Sequence, residues 1–516
     1  EMDANRRLRP AALWNRKPMV ATPVMTFGAA NFGHVSLPSM LSPRAERVDD
    51  DEDDAFTVAT EGAHKSAFAS AKPCAPDPIL GIRDSFLQDP AANKLNLAVG
   101  VYRTAEGKPL VLKCVQSAEA KLLEEQRAGR TFKEYLPPEG MSRFCELSLR
   151  LLLGDAVTPA LEQGRVVAAQ CISGTGGLHL AARMLQMLRP GSTVHLPAPT
   201  WPIHPDIFTE VGLAVAYYPY YDARTGGLAF EEMMAALEAL PAGSVVLLHA
   251  CAHNPTGVDP TAAQWARIAQ AVAARPLIPL VDAAYQGLAS GDLDADAAGA
   301  RALASVPGVE MVTVQSYSKN MGLYAERAGL VSFTCQDAPI AERLGQQLRR
   351  TIRLTHSSPP QHGAALVATI LGEPERRAAW RLELAAMAAR LHAMRRALHA
   401  ALVSVQSPPP DGASDWRRVL EQRGMFTYTG LSREQVSALR DQHHVYMPMD
   451  GRLCMAALTQ ESCATLAAAI KDVLLASCLG ASLLAEGKRD HEEDAAQEQP
   501  EVEEPATTVK RPRASA

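Results

Sequence analysis

Residues 309–333 read VEMVTVQSYSKNMGLYAERAGLVSF, and this stretch decides the fold. Its two ends, residues 309–316 and 329–333, are short β-branched runs of the kind that forms buried strands. Between them lies a polar segment with one lysine, Lys319, which is flanked by two serines and followed by an arginine. The stretch therefore predicts two neighbouring strands with polar side chains gathered where the first strand ends.

Other β-branched runs alternate with helical patterns along the chain. Strands are predicted at residues 194–196, 245–249 and 277–282, and a helix at 262–275 lies between the last two. This alternation predicts an α/β fold with a mostly parallel sheet that is covered by helices on both faces. Such sheets bind ligands beyond the carboxyl ends of their strands, and the polar residues of interest sit at those ends.

The length of 516 residues exceeds the size at which one hydrophobic core stops growing, so two packed domains are expected. A long amphipathic pattern at 379–405, followed by a proline-rich turn, marks a smaller second domain. The predicted organisation in chain order is a disordered extension at 1–76, part of the small domain at 77–109, the large domain at 110–386, the rest of the small domain at 387–480, and a disordered acidic tail at 481–516.

The N-terminal extension gives conflicting indications of a cellular compartment. Its first forty residues carry arginines and few acids, as organellar transit peptides do. Six consecutive acidic residues at 49–54 do not fit such a peptide. The sequence therefore leaves both the mitochondrion and the cytoplasm open.

Composition excludes several classes of function. A formal net charge of −6, with 47% hydrophobic and 21% charged residues, is that of an ordinary globular protein and argues against a nucleic-acid partner. The most apolar stretch, 463–485, is interrupted by Lys471 and Asp472 and predicts a buried terminal helix rather than a membrane span. Nine cysteines are scattered singly, without metal-ligand or redox spacing, so a soluble, reduced intracellular protein without a metal site is expected.

Lys319 is the leading candidate for catalysis. Most lysines are solvated surface charges, and Lys319 taken alone would be interpreted in that way. Its place after a strand, near Arg327, allows burial and a neighbouring positive charge to lower its pKa. A neutral amine attacks an aldehyde, so the segment indicates a lysine that binds a carbonyl group covalently.

The segment from Ser316 to Gly329 resembles the cofactor-lysine motif of class I aminotransferases, of the aspartate aminotransferase type. The resemblance extends from about residue 77 to about residue 479 and rests on several separate motifs in the same order. It implies the fold type I architecture of pyridoxal-phosphate enzymes, a homodimer with shared active sites, and pyridoxal 5'-phosphate bound to Lys319 in the large domain.

The resemblance also implies which residues bind the cofactor ring. Asp282, Tyr285 and Lys319 form the expected catalytic set, with Asp282 paired to the pyridine nitrogen; the alternative for Asp282 is a helix cap. Asn254 and Tyr285 bind the phenolic oxygen of the ring. Trp201 stacks on the ring, and the nearby His204 supports Asp282.

The cofactor phosphate is expected at a glycine-rich turn, 173–177, which precedes a predicted helix at 178–188. Glycine-rich turns are common, so this indication is weak by itself. By resemblance, the residues that hold the phosphate are Ser173, Gly174, Thr175, Ser316, Ser318 and Arg327, with Tyr135 reaching over from the other subunit.

Two arginines decide the expected substrate. By resemblance, Arg452 binds the α-carboxylate through two parallel hydrogen bonds, and Arg353 crosses the dimer interface to bind the side-chain carboxylate. Gly100 lies close to the substrate, where a Cβ would crowd it, and Trp201 and Asn254 also contact the substrate. Either arginine alone is otherwise a surface charge, but together they favour aspartate, glutamate and their oxo acids.

The expected reaction is reversible transfer of the amino group between L-aspartate and 2-oxoglutarate by a ping-pong mechanism, with Lys319 as acid and base. Three residues depart from the family pattern: Ile203 stands where asparagine is usual, and His356 and Ser358 stand where tyrosine and asparagine are usual. Two alternatives stay open. One is a broader enzyme that also accepts aromatic amino acids, and the other is a weakly active scaffold that uses its charged tails for assembly.

Overall fold

The computed structural model describes residues 66–73, 77, 79–104, 106–410 and 415–477. The predicted tail at 481–516 and most of the predicted extension at 1–76 lie outside these residues. Contacts divide the chain into one unit at Glu1–Ala75 and another at Pro76–Ala516. The described part of the first unit contains a turn in which Ala69 N donates to Ser66 O at 3.0 Å. The second unit holds the strands and helices below.

The described strands, in chain order, are β1 Leu95–Asn96, β2 Val166–Ile172, β3 Thr193–Ala198, β4 Ala214–Pro219, β5 Tyr221–Asp222, β6 Gly227–Leu228, β7 Val245–His249, β8 Ile278–Ala283, β9 Met311–Ser316, β10 Ala328–Thr334, β11 Phe426–Tyr428, β12 Val445–Tyr446 and β13 Arg452–Cys454. Seven of them form the central sheet, in the order β2-β10-β9-β8-β7-β3-β4. Within it, β4, β3, β7, β8 and β9 are parallel neighbours, and β10 is antiparallel to both β9 and β2. The predicted α/β class with a mostly parallel sheet is confirmed.

The described helices, in chain order, are α1 Leu80–Gln88, α2 Lys113–Arg127, α3 Ser142–Leu153, α4 Thr158–Glu162, α5 Ser173–Leu188, α6 His204–Glu210, α7 Phe230–Ala239, α8 Ala262–Ala274, α9 Leu293–Asp296, α10 Ala298–Ala304, α11 Ala338–Thr355, α12 Gln361–Gly372, α13 Pro374–Ser404, α14 Arg418–Glu421 and α15 Arg433–His443. A further helix occupies residues 460–477. Among the helices of the described ranges, none has the length and apolar run that a membrane span requires.

Two helices begin earlier than the sequence predicted. α5 begins at Ser173, so residues 173–177 form the first turn of that helix rather than a loop before it. Its glycines pack against the sheet: a Cβ at Gly177 would lie 2.7 Å from Val314 Cγ1, so tertiary packing outweighs the low helix propensity of glycine. α13 begins at Pro374 instead of residue 379, because proline in the first turn is compatible with a helix start.

Helices cover the central sheet on both faces. Strands β7, β9 and β10 are buried along their whole length, as expected for a sheet with two covered faces. Burying a large apolar side chain stabilises the fold by about 1.5–3 kcal/mol. One layer buries Leu178, Met184, Phe208 and Leu348, and the other buries Phe144, Trp265, Leu303 and Leu366.

Short strands join the beginning and the end of the second unit. β1 pairs in parallel with β12, through Leu95 and Val445, and β11 pairs with β13 in an antiparallel ladder. Residues near the start of the unit therefore pack with residues 445–446, as the predicted two-part small domain requires. The domain boundaries themselves stay a prediction, and the one at 386 falls inside α13.

Candidate active site

The carboxyl ends of five sheet strands meet around a cavity of about 230 Å³, which we call the lysine pocket. This is the edge at which sheets of this kind bind ligands. The strands contribute Ser173 after β2, Trp201 after β3, His249 and Asn254 at and after β7, Asp282 and Tyr285 at and after β8, and Ser316, Ser318 and Lys319 at and after β9.

Lys319 places its amine inside the lysine pocket. Its Nζ donates to Gly100 O at 2.7 Å and lies 5.0 Å from the ring centre of Tyr324. Burial lowers the pKa of the Lys319 ammonium to about 8, and the guanidinium charges of Arg452 and Arg327 act in the same direction. A fraction of the amine is therefore neutral near physiological pH, as attack on an aldehyde requires.

Hydroxyl groups and one guanidinium gather at another wall of the pocket. Ser173 Oγ lies 2.8 Å from both Ser316 Oγ and Ser318 Oγ, and Arg327 Nη1 donates to Ser318 Oγ at 3.3 Å. Gly329 permits this packing, because a Cβ there would lie 2.8 Å from the Cα of Ser173. These groups suit a bound phosphate, whose oxygens accept hydrogen bonds from all of them.

The N-terminus of α5 opens onto the same hydroxyls. Gly174 and Thr175, in the first turn of α5, line the pocket beside Ser173. Backbone N–H groups in a first turn have no partner within the helix, and the helix dipole favours an anion there. The helix start therefore adds to the phosphate-sized anion site.

Asp282 is held by a chain of buried and half-buried polar side chains. Its Oδ2 lies 3.2 Å from His204 Nε2, and His204 Nδ1 lies 2.8 Å from Thr200 Oγ1, which is 3.4 Å from His249 Nε2. Burial lowers the pKa of His249 to about 3, so that imidazole is neutral. The alternative role of Asp282 as a helix cap does not fit, because Asp292 caps the following helix, α9.

Arg452 lies beside the lysine pocket. We call Arg452 and the three residues it contacts, Ala98, Asn254 and Phe426, the arginine site. Its Nη1 donates to Asn254 Oδ1 at 3.1 Å, its Nη2 donates to Ala98 O at 2.8 Å, and its guanidinium lies 4.2 Å from the ring centre of Phe426. Arg452 is buried, and among the described residues its Nε has no hydrogen-bond partner and its guanidinium has no salt bridge. A buried guanidinium of this kind has free donors for a carboxylate ligand.

Asn254 connects the arginine site to the lysine pocket. Besides accepting from Arg452, its amide Nδ2 lies 3.5 Å from the phenolic oxygen of Tyr285. Burial raises the pKa of the Tyr285 phenol above its ordinary value, so Tyr285 stays protonated and is a donor as well as an acceptor. The predicted residues Asn254, Tyr285 and Arg452 are thus brought together around one opening.

Gly100 and two residues that the sequence analysis did not assign complete the site. A Cβ at Gly100 would lie 2.8 Å from Phe426 Cζ and 3.6 Å from Lys319 Nζ, so a larger residue there would displace the Phe426 ring. The phenolic oxygen of Tyr324 accepts from Tyr102 N at 2.7 Å. Tyr324 was detectable because it lies five residues after Lys319 in the quoted segment, whereas nothing in the sequence distinguishes Phe426 from an ordinary core residue.

Tyr135 and Arg353 lie elsewhere on the chain. Tyr135 is 85% exposed, Arg353 is also exposed, and neither is among the residues that line the lysine pocket. Arg353 Nη1 donates to Ser357 Oγ. Their predicted roles required a second subunit, so both roles stay predictions.

The three departures from the family pattern lie in two places. Ile203 precedes α6 and packs with Trp201 against one apolar layer of the sheet. His356 follows α11, and within the described part of the chain both of its ring nitrogens are buried without a hydrogen-bond partner. Ser358 N donates to His356 O at 2.7 Å, in the turn that leads to α12.

Comparisons with known proteins agree with this geometry. The profile of the family described as Aminotransferase class I and II matches residues 92–470. A cytoplasmic aspartate aminotransferase of Oryza sativa subsp. japonica is 45% identical over 408 residues, which cover 79% of this chain and 98% of the relative.

Two solved structures have similar folds. An aromatic-amino-acid aminotransferase of Burkholderia pseudomallei, covalently bound to pyridoxal phosphate, is 40% identical with a TM-score of 0.74, over 80% of this chain and 100% of that chain. The aspartate aminotransferase of Saccharomyces cerevisiae cytoplasm is 36% identical with a TM-score of 0.75, over 79% of this chain and 98% of that chain.

Proposed function

The chain belongs to the aminotransferase class I and II family, and on that premise we propose that it is an aspartate aminotransferase. It transfers the amino group reversibly between L-aspartate and 2-oxoglutarate and forms oxaloacetate and L-glutamate. The observation that carries this proposal is the placement of the buried Lys319 amine, with its lowered pKa, in one pocket with Asp282 and a phosphate-sized anion site. Beside that pocket, Arg452 supplies a guanidinium that binds a substrate carboxylate.

The lysine pocket fits pyridoxal 5'-phosphate, the cofactor on which this family depends. The cluster of serine hydroxyls with Arg327 suits its phosphate, and Asp282 suits its protonated ring nitrogen. When bound, the cofactor supplies an aldehyde that receives the amino group and a ring that withdraws electrons from the carbon that loses a proton. Lys319 is the residue that holds the aldehyde between turnovers.

The side chains of the site have distinct tasks in the reaction. Arg452 binds the α-carboxylate of the amino acid, and Asn254 orients that guanidinium. Lys319 Nζ, once released by the incoming amino acid, would take the proton from Cα as a base and then, as an acid, donate it to the carbon that carried the aldehyde. Asp282, which His204 Nε2 contacts at 3.2 Å, would hold the ring nitrogen of the cofactor.

A Lys319→Ala variant tests the proposal. Turnover of L-aspartate with 2-oxoglutarate is expected to fall by about 10⁴-fold or more, because both covalent capture and proton transfer are lost. The wild type is expected to show the absorption band of the lysine-bound cofactor, which L-aspartate converts to the band of the aminated cofactor, and the variant is expected to show neither change. Lys113→Ala, at an exposed lysine of α2, is the control.

The proposal is wrong if the wild type binds no pyridoxal phosphate. In that case the scaffold alternative becomes the leading one. Deletion of the terminal segments 1–65 and 481–516 then decides whether those segments carry the remaining function.

A broader enzyme that also accepts aromatic amino acids is the second candidate. It is favoured by the similarity to a solved aromatic-amino-acid aminotransferase and by the apolar Ile203 beside Trp201. Comparing kcat/KM for L-aspartate and L-phenylalanine, each with 2-oxoglutarate, separates the two candidates. A ratio above about 100 in favour of aspartate supports the narrow function, since one well-placed charged interaction gives discrimination of that order.

We also propose that the protein is a homodimer in which Tyr135 and Arg353 serve the active site of the partner. Both side chains are exposed in one chain, and so are the nearby apolar side chains Phe132 and Leu354, which are 70% and 76% exposed. Adjacent exposed apolar side chains of this size are typical of a protein interface.

Subunit mixing tests this arrangement. Lys319→Ala and Arg353→Ala are each expected to be nearly inactive at low L-aspartate concentration. Hybrid dimers formed by refolding a mixture contain one site without either change, so about a quarter of the wild-type activity returns. A mixture that stays as inactive as its components contradicts the shared site, and size-exclusion chromatography reports the oligomeric state independently.

A further inference from the structure

A second buried arginine, Arg395, contacts Phe426 of the arginine site. It belongs to α13 and is 1% exposed. Its Nη1 donates to Val419 O at 3.2 Å and to Thr427 Oγ1 at 2.5 Å, and its Nη2 donates to Gly424 O at 3.0 Å and to Phe426 O at 2.5 Å. No salt bridge among the described residues includes Arg395. Its guanidinium instead bonds to three backbone carbonyls and one hydroxyl of a single segment, residues 419–427.

That segment contains Phe426, and the Arg452 guanidinium packs on the ring of Phe426. The Phe426 ring lies 4.2 Å from the Arg452 guanidinium and meets the Tyr285 ring edge-on at 5.9 Å. Its carbonyl is one of the four acceptors of Arg395, and its strand, β11, pairs with the strand that begins at Arg452. The position of the Arg452 guanidinium therefore depends on where Arg395 holds Phe426.

The same segment packs against the turn that carries Asn254. Arg423 N donates to Gly257 O at 2.6 Å, and a Cβ at Gly424 would overlap the side chain of Ala252. The turn has its own charged anchor, because Asp259 accepts from the backbone N–H groups of Ala252 and His253 at 2.7 and 2.9 Å. Phe426 and Asn254 are both partners of Arg452, and a charged side chain bonds to the backbone at or next to each of them: Arg395 at Phe426 and Asp259 next to Asn254.

The Asp259 carboxylate also favours the charged form of Arg395. Burial lowers the pKa of Arg395 to about 9, and the Asp259 carboxylate opposes that shift. Four acceptors arranged around one guanidinium match the planar fork of arginine, which lysine does not reproduce with its single ammonium.

We propose that Arg395 is a positioning residue for carboxylate recognition, acting through Phe426 on Arg452. The inference rests on the proposed role of Arg452 as the residue that binds the α-carboxylate of the substrate. Arg395 touches neither substrate nor cofactor. Its effect is on the binding of the amino acid, and the proton transfer at Lys319 does not depend on it.

Arg395→Lys in the holoenzyme tests the proposal. It keeps the charge but loses part of the fork, so KM for L-aspartate is expected to rise by about 20-fold while kcat stays within about twofold. Thr427→Val removes one acceptor, keeps the shape of the strand residue, and is expected to raise KM by about fivefold. This second variant keeps the proposal testable if Arg395→Lys does not fold.

Arg390→Lys is the matched control. Arg390 lies on the same helix and likewise donates to backbone carbonyls, those of Thr104, Ala456 and Leu458, but it does not contact Phe426 or Arg452. It is expected to lower the melting temperature as much as Arg395→Lys does and to leave KM unchanged. A purely structural role of Arg395 predicts equal effects of the two variants on every parameter.

The pair Arg395→Lys and Phe426→Leu completes the test. If Arg395 acts through Phe426, the double variant raises KM little more than the larger of the single changes, since both remove the same support. Independent, multiplying effects overturn the proposal, and so does an unchanged KM in Arg395→Lys or in Thr427→Val. An inactive wild type is a different result: it refutes the proposed function, and it is recognised by the missing cofactor absorption band.

Discussion

The lysine pocket and the arginine site adjoin each other but are constructed differently. The lysine pocket takes its polar groups from the strand ends at one edge of a single sheet. Several of these groups bond side chain to side chain, as Ser173 does with Ser316 and Ser318. The arginine site gathers Ala98, Asn254 and Phe426 from distant parts of the chain around one guanidinium. A regular sheet edge positions the first site, and packing between irregular segments positions the second.

This difference assigns separate kinetic roles to the two sites. Under the proposed function, groups at the sheet edge act on the reacting carbon, so changes there are expected in kcat. Groups around Arg452 would act on a carboxylate that is bound both before and during the reaction, so changes there are expected mainly in KM. Asn254, which contacts both Tyr285 and Arg452, is the link between the two sites.

Asp282→Asn is expected to show the largest of the effects that separate the two sites. The amide cannot provide a negative charge opposite the ring nitrogen, so kcat is expected to fall by about 10³-fold with KM for L-aspartate within about threefold. Steady-state kinetics measure both parameters. Asp206→Asn, at an exposed acid in the first turn of α6, controls for the loss of one charge. A kcat within about threefold of wild type contradicts the role given to Asp282.

Arg452→Lys is expected to show the opposite pattern. The ammonium cannot reproduce two parallel hydrogen bonds to a carboxylate, so KM for L-aspartate is expected to rise by about 100-fold, with a smaller fall in kcat. The absorption band of the lysine-bound cofactor is expected to stay as in the wild type. Arg440→Lys on α15 is the control, because Arg440 pairs with Asp441 at the surface. If KM stays within about twofold, the α-carboxylate binds elsewhere.

The pKa of Lys319 gives a pH-dependent test of the lysine pocket alone. A lysine pKa lowered from 10.5 to about 8 means that the neutral amine is abundant above pH 8 and falls about tenfold per pH unit below it. Capture of pyridoxal phosphate by protein freed of cofactor should therefore accelerate with pH and level off near pH 8. Absorbance stopped-flow measurements between pH 6.5 and 9.5 follow this. A rate that still rises tenfold per unit at pH 9.5 indicates an unperturbed lysine.

The sequence predicted most of the lysine pocket, for a physical reason. Strands of buried β-branched residues are recognisable, and the polar residues that follow them meet at one sheet edge, so the positions of Lys319, Asp282 and Asn254 after strands placed them together, while their roles came from the family resemblance. The helix start at Ser173 was missed because glycine disfavours helices in general, and the close approach to Val314 that favours it here is a tertiary contact.

The arginine site was predicted only in part. Arg452 belongs to a recognisable motif, but Phe426 and Arg395 owe their roles to contacts between residues that lie far apart in the chain. Edge strand β4 was also missed. Its residues are partly exposed, and its two alanines and final proline have low strand propensity. The proposed roles of Tyr135 and Arg353 involve a second chain, so the structure of one chain does not assign their contacts.

Tyr324→Phe is expected to have the smallest effect and tests how far the lysine pocket extends towards the arginine site. The phenolic oxygen of Tyr324 accepts from Tyr102 N at 2.7 Å, close to Gly100, whose carbonyl accepts from Lys319. Removing that oxygen leaves a buried N–H without a partner, which costs about 1 kcal/mol and shifts the segment that holds the lysine amine. Because this segment acts on Lys319, a fall of about fivefold in kcat is expected, with KM unchanged.

Tyr317→Phe is the control for that last prediction, because Tyr317 lies in the same motif and donates to Ser148 Oγ at 2.7 Å, outside the lysine pocket. Tyr317 is fully buried and Tyr324 is half-buried, so Tyr317→Phe is expected to lower the melting temperature at least as much, and only Tyr324→Phe is expected to lower kcat. A rise in KM instead would mean that the segment at Gly100 supports carboxylate binding through its contact with Phe426. The boundary between the two sites would then lie at Tyr324, and the separation of kcat from KM effects would hold only for Asp282 and Arg452.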